Sequence, residues 1–134
     1  MDIAVGMELP SKSFTITRES LIKYAGASGD FNVIHWNERI ATDVGLPDVI
    51  AHGMLTMGLA ISVVTDWLGD PTRLVDYGCR FTRPVIVPDD GVGAVLDVTG
   101  KVTEVQGDRA TITVSAVSDG VTVLGKATAS IRID

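Results

Sequence analysis

Two periodicities divide the chain. Residues Ser13 to Thr17 alternate polar and apolar side chains, as a short half-buried strand does. The run Arg18-Glu19-Ser20 breaks that alternation, and Thr17 is placed to cap a helix whose apolar positions are Leu21, Ile22, Tyr24 and Ala25. Gly26 and Gly29 then loosen the chain. Asn37 is a second N-cap candidate, for a short helix carrying Ile40 and Ala41 that Gly45 and Pro47 would close. A longer helix follows His52-Gly53 and runs to about Leu68, where Gly69-Asp70-Pro71 stops it. It is apolar on nearly every side, a pattern that predicts a helix surrounded by other elements.

From Leu74 the period changes to that of strands: Leu74 to Thr82, Ala94 to Val105, Ala110 to Ser118 and Val121 to Ile133. Pro88-Asp89-Asp90-Gly91, Gln106-Gly107-Asp108 and Asp119-Gly120 supply turns between them. No repeat, charge block or low-complexity linker separates the halves, so residues 1–134 are expected to form one α+β domain, an antiparallel sheet curved around one apolar helix.

Composition narrows the classes of function. Hydrophobic residues make up 46% of the chain and aromatic ones 5%, so the core must be aliphatic. A net charge of −6 lacks the clustered Lys and Arg needed to displace counterions from a nucleic-acid backbone. The apolar run Gly53 to Val64 is interrupted by Thr56 and Ser62 and falls short of the roughly 20 residues that span a bilayer. The one cysteine, Cys79, excludes an internal disulfide, and no basic-then-apolar leader opens the chain, so a cytoplasmic protein is expected.

The chemistry concentrates between Ser28 and His35, where Asp30, Asn32 and His35 stand at D-x-N-x-x-H spacing in a stretch unsuited to regular structure. Addition of water to a double bond conjugated to a thioester needs a held water, a proton acceptor, a proton donor and a group to receive the developing enolate oxygen. An Asp and a His can supply the first three, with either as acid or base. The same residues could instead bridge a loop, with His35 donating to a backbone carbonyl. Gly53 opens the buried helix, where free N–H groups and the positive end of the helix dipole favour an oxyanion. A glycine needed only for a tight turn would look alike. His52 reads as a structural histidine. Asp30, His35 and His52 are suitable metal ligands by type, yet no Cys-x-x-Cys, His-Glu-x-x-His or acidic calcium loop accompanies them, so neither metal nor cofactor is expected. Ser28-Gly29 is not part of a nucleophile elbow, and nucleotide-binding glycine patterns are absent.

The stretch Tyr24-Ala25-Gly26-Ala27-Ser28-Gly29-Asp30-Phe31-Asn32-Val33-Ile34-His35 resembles the hydratase motif of the MaoC-like, (R)-specific enoyl-CoA hydratases. Trp36 to Ala41, Ile50 to Gly58 and Tyr77 to Pro88 extend the similarity, which is strongest toward the catalytic subunits of mycobacterial (3R)-hydroxyacyl-ACP dehydratases. The resemblance implies a hot-dog fold and reversible hydration of trans-2-enoyl thioesters carried by CoA or ACP, in fatty-acid metabolism. It assigns the water to Asp30 and His35, loop support to Asn32 and Ser28, and the thioester oxygen to the Gly53 N–H. It also implies pairing, as a homodimer or with a related hot-dog subunit. A hot-dog thioesterase and a non-catalytic acyl-binding subunit are the competing readings. The first would not need the full loop, and the second would be expected to have lost Asp30 or His35. One departure stands out: Val33 occupies the position after the asparagine where the family has proline, so the loop lacks one φ restraint and altered stiffness is expected rather than lost activity.

Overall fold

The computed structural model describes residues 1–134. Strand β1 (Lys12–Ile16) leads into α1 (Arg18–Ser28) through a reciprocal cap. The Thr17 hydroxyl accepts from the Ser20 amide, and the Ser20 hydroxyl accepts from the Thr17 amide. Gly29 ends α1 in the left-handed region at φ 76°, and Gly26 lies inside the helix without breaking it. A 3-10 turn (Val33–His35), α2 (Glu38–Asp43, capped by Asn37) and α3 (Gly53–Leu68) follow.

The second half supplies β2 (Leu74–Phe81), β3 (Ala94–Gln106), β4 (Arg109–Ser118), β5 (Val121–Thr122) and β6 (Leu124–Arg132). All pairings are antiparallel, in the order β1-β3-β4-β6-β2 with β5 on β4, and no crossover helix is required. The stretch expected as one strand from Val121 to Ile133 is broken at Val123. There the amide donates to Ala116 of β4 while the carbonyl accepts from Thr82 just after β2, so the chain changes neighbours at that residue.

On β3, Ala94, Leu96, Val98, Gly100 and Val102 point inward and alternate with exposed residues. With β4 and β6 they form the concave wall of one cluster of 25 buried apolar residues. Helix α3 lays Thr56, Ala60, Val63, Val64 and Leu68 against that wall at helical spacing. The expectation that α3 is surrounded is met on one side only. Leu55, Leu59, Ile61 and Trp67 are half-buried, and Met54 is 60% exposed, because a sheet of this width covers one face of a helix. Tyr77 ties β2 to α3 by donating from its hydroxyl to the Met57 carbonyl. Burial pushes this phenol up to about 12, which keeps the donor proton in place.

A second, smaller pairing precedes α3. Residues 49–51 run antiparallel to residues 85–87, with Ala51 donating to Val85, Val87 donating to Val49, and a bridge between Ile50 and Ile86. Arg18 clamps this unit, its Nε donating to the Val87 carbonyl and its guanidinium pairing with Asp48 at 2.7 Å. Both charged side chains are only 22% exposed, so the pair is less screened than a surface one.

Gly93, at φ 81°, sits where an added Cβ would strike the Ile16 carbonyl oxygen at the β1–α1 junction. Because the obstacle is backbone and the conformation is left-handed, Gly93→Ala is expected to cost at least about 1–3 kcal/mol. Thermal unfolding should show this as a Tm lowered by several degrees, whereas an unchanged Tm would mean that this junction is loose.

Candidate active site

The loop between α1 and the 3-10 turn is shaped by its own side chains. The Asp30 amide donates to Ser28 Oγ at 3.2 Å, the Asn32 amide to Asp30 Oδ1 at 3.2 Å, and the Ile34 amide to Asn32 Oδ1 at 3.3 Å. Each is a local side-chain substitute for a backbone turn. Asn32 thereby caps the turn that carries His35 inward, and Asp30 stays exposed at the loop's crest.

His35 is 7% exposed, and its Nδ1 lies 2.7 Å from the Ile50 carbonyl oxygen. A carbonyl only accepts, so Nδ1 carries the hydrogen, and in the neutral ring Nε2 is left with a free lone pair. Ile50 belongs to the pairing with residues 85–87, so the sheet side of the molecule fixes the tautomer. The loop-bridging bonds open to these residues are therefore present, and they leave the second carboxylate oxygen of Asp30 and Nε2 of His35 uncommitted.

His52 completes the cluster. Its ring stacks on His35 with centroids 3.8 Å apart and planes 24° apart, and meets Tyr24 of α1 edge-on at 4.7 Å. Burial pushes its pKa below the ordinary value; the bond to the Asp30 carbonyl opposes this, and the nearby His35 reinforces it. Potential ligand atoms of Asp30, His35 and His52 lie within 4.8 Å of one another. Two nearly parallel rings at stacking distance hold their in-plane lone pairs side by side, however, so both cannot reach one metal ion at the roughly 2.0–2.1 Å of a zinc–imidazole bond. This donor set does not fit a metal.

His35 and Gly53 face a cavity of about 270 Å³. Of its other lining residues, Ala51, Thr56, Val85, Val123 and Leu124 are buried, whereas Phe81, Thr82, Arg83 and Pro84 are exposed. The Gly53 amide has no acceptor within the chain, as expected for the first N–H of a helix, and the side chain of His52 makes no cap bond to α3. A Cβ on Gly53 would stand 3.1 Å from the Phe81 ring, so glycine leaves the approach to that amide open. Phe81 and the break at Val123 were not visible as site features in the sequence, because β2 and β6 bring them to Gly53 only through sheet pairing.

The sequence profile of the MaoC like domain matches residues 3–122. The chain belongs to the MaoC-like family. It is 37% identical over 79 residues to 3-hydroxyacyl-thioester dehydratase X of Mycobacterium tuberculosis, covering 59% of this chain and 27% of that protein. It is 36% identical over 91 residues to the (R)-specific enoyl-CoA hydratase of Rhodospirillum rubrum, covering 67% of this chain and 62% of that one. A solved MaoC-like dehydratase superposes with a TM-score of 0.95 at 41% identity, over 99% of this chain and 41% of its own. This MaoC-like chain therefore spans less than two thirds of these relatives, and its fold is the hot-dog fold. No helix in it is long and apolar enough to cross a membrane.

The departure at Val33 is mild in this setting. Asn32 has ψ 127°, within the range that precedes proline comfortably, and Val33 opens the 3-10 turn, where a missing N–H breaks no bond. Val33→Pro is expected to raise stability by about 0.4–1 kcal/mol through the unfolded state. Turnover measured beside thermal unfolding should stay within about threefold of the parent chain, and a larger change would show that the loop's φ freedom is used in the reaction.

Proposed function

We propose that the protein catalyses reversible hydration of trans-2-enoyl thioesters to (3R)-hydroxyacyl thioesters. The observation that carries this reading is the free Nε2 of a tautomer-fixed His35, beside the Asp30 carboxylate, at an apolar cavity that also exposes the Gly53 N–H. The names borne by the relatives agree with it: one is a 3-hydroxyacyl-thioester dehydratase and another an (R)-specific enoyl-CoA hydratase.

In the proposed step the thioester oxygen accepts from the Gly53 N–H, so negative charge gathering there as the C2–C3 double bond is attacked meets the positive end of α3. Water held between Asp30 and His35 adds its oxygen to C3 while His35 Nε2 takes one of its protons. Asp30 accepts a hydrogen bond from the hydrogen that stays on that oxygen. The imidazolium then returns its proton to C2, and the enolate electron pair forms the new C–H bond. One imidazole serving both ends from one side makes the addition syn. Dehydration is the same path reversed, and it is the physiological direction if the carrier is ACP. Ser28 and Asn32 support the loop, and no cofactor enters the scheme.

The half-covered α3 and the edge strand β2, with Val75 49% and Phe81 55% exposed, suit pairing with a second hot-dog unit, either another copy or a related subunit. A dimer in gel filtration with mass measurement would support the first, and an aggregating or unstable lone chain the second. A cytoplasmic setting agrees with a lone cysteine that has no disulfide partner.

Short trans-2-enoyl-CoA and enoyl-ACP substrates test the reaction when conjugated-thioester absorbance and free thiol are followed together. Absorbance loss without thiol is the expected result; thiol release would establish a thioesterase, and no change with any carrier a binding subunit. Asp30→Asn and His35→Ala are each expected to lower kcat by about 100-fold or more. Turnover retained in either variant would remove that residue from the scheme.

A further inference from the structure

We propose that His52 is a positioning residue, which sets the place of the Asp30 carboxylate relative to the His35 imidazole by donating from Nε2 to the Asp30 carbonyl while its ring face supports His35. This inference rests on the hydration reading for its kinetic consequence, but its geometry does not.

The other hydrogen bonds of residues 29–32 are local. Those made by the Asp30 and Asn32 amides end within the loop or at Ser28, and the one that Phe31 accepts comes from the indole of nearby Trp36. Asp30 is exposed and Phe31 is 63% exposed, so packing holds this segment weakly. The contact from His52 Nε2 to the Asp30 carbonyl, 3.1 Å across 22 residues of sequence, is the bond that joins the loop's crest to the body of the protein. His52 can act as an anchor because it is 1% exposed and wedged between Tyr24 and His35.

The position itself calls for an explanation. His52 stands at the N-cap of a 16-residue helix, where Ser, Thr, Asp or Asn would each stabilise the helix, yet its side chain makes no cap bond. Its backbone carbonyl does the helical work by accepting from Leu55 and Thr56. The imidazole is thus spent on the loop.

Its protonation is also constrained. The Asp30 carbonyl requires a hydrogen on Nε2, while Nδ1 is buried with no partner. A second proton would place an unpaired N–H in the interior, so the ring stays neutral. The titratable groups facing it are Asp30, His35 and Tyr24. A neutral neighbour lets His35 accept a proton without a like charge stacked on it.

Two measurements test this. In the hydration assay, His52→Leu fills the space but removes the donor, and is expected to lower kcat roughly 100-fold with KM held within about threefold, the scale of effect that a misplacement of about 1 Å produces. His52→Gln, which returns an N–H at similar reach, should recover at least about tenfold of that loss. In an Asp30→Asn background, His52→Leu should lower the residual turnover by less than about threefold, since the carboxylate it positions is gone. An equal loss in both backgrounds, or full kcat in His52→Leu, would overturn the proposal. Imidazole nitrogen NMR of the unmodified protein at pH 7 reads the geometry whether or not it hydrates enoyl thioesters. A neutral Nε2–H tautomer at His52 is expected, and an Nδ1–H tautomer or a doubly protonated ring would overturn the inference.

Discussion

The hydrogen bond from His35 Nδ1 to the Ile50 carbonyl is 2.7 Å long and joins the two parts of the molecule on which the proposed chemistry depends. On one side is a loop made from α1's C-terminus and a 3-10 turn, held in shape by Ser28, Asp30 and Asn32. On the other is a short β-pairing, residues 49–51 with 85–87, clamped by the half-buried Arg18–Asp48 pair. Breaking the contact would free the imidazole to rotate and to exchange tautomers. The lone pair on Nε2 would then no longer be fixed at the cavity that Gly53 opens.

The same pairing explains why the site lies where α3 begins. Ala51 is anchored to Val85, and two residues later Gly53 starts the helix, so the free amide and the imidazole are set by one rigid unit. The sheet supplies the remaining wall. Phe81 at the end of β2 and Val123 at the break between β5 and β6 reach the cavity because β6 pairs with β2. A mostly apolar enclosure around few polar groups strengthens each electrostatic contact within it.

Much of this was legible in the sequence where the cause is local. The Thr17 cap, the Gly29 and Gly69 stops, the Asn37 cap and the alternation on β3 depend on side chains within a few residues of the backbone groups they satisfy. The D-x-N-x-x-H loop was readable for the same reason. What escaped depends on distant pairing. Val123 changes strand partners because of Ala116 and Thr82, and α3 looks fully buried by composition although one sheet face is all this chain provides. His52 read as a structural histidine since neither its stack on His35 nor its bond to Asp30 leaves a trace in its neighbours along the chain.

In the proposed reaction one imidazole, held on one side of the substrate, takes a proton from the water and returns it to C2. Running the hydration in deuterium oxide and determining the configuration at C2 and C3 of the product tests it most directly. The expected product is a (3R)-hydroxyacyl thioester with a single deuterium at C2, on the same face as the new hydroxyl. A (3S) product, or deuterium delivered to the opposite face, would contradict it.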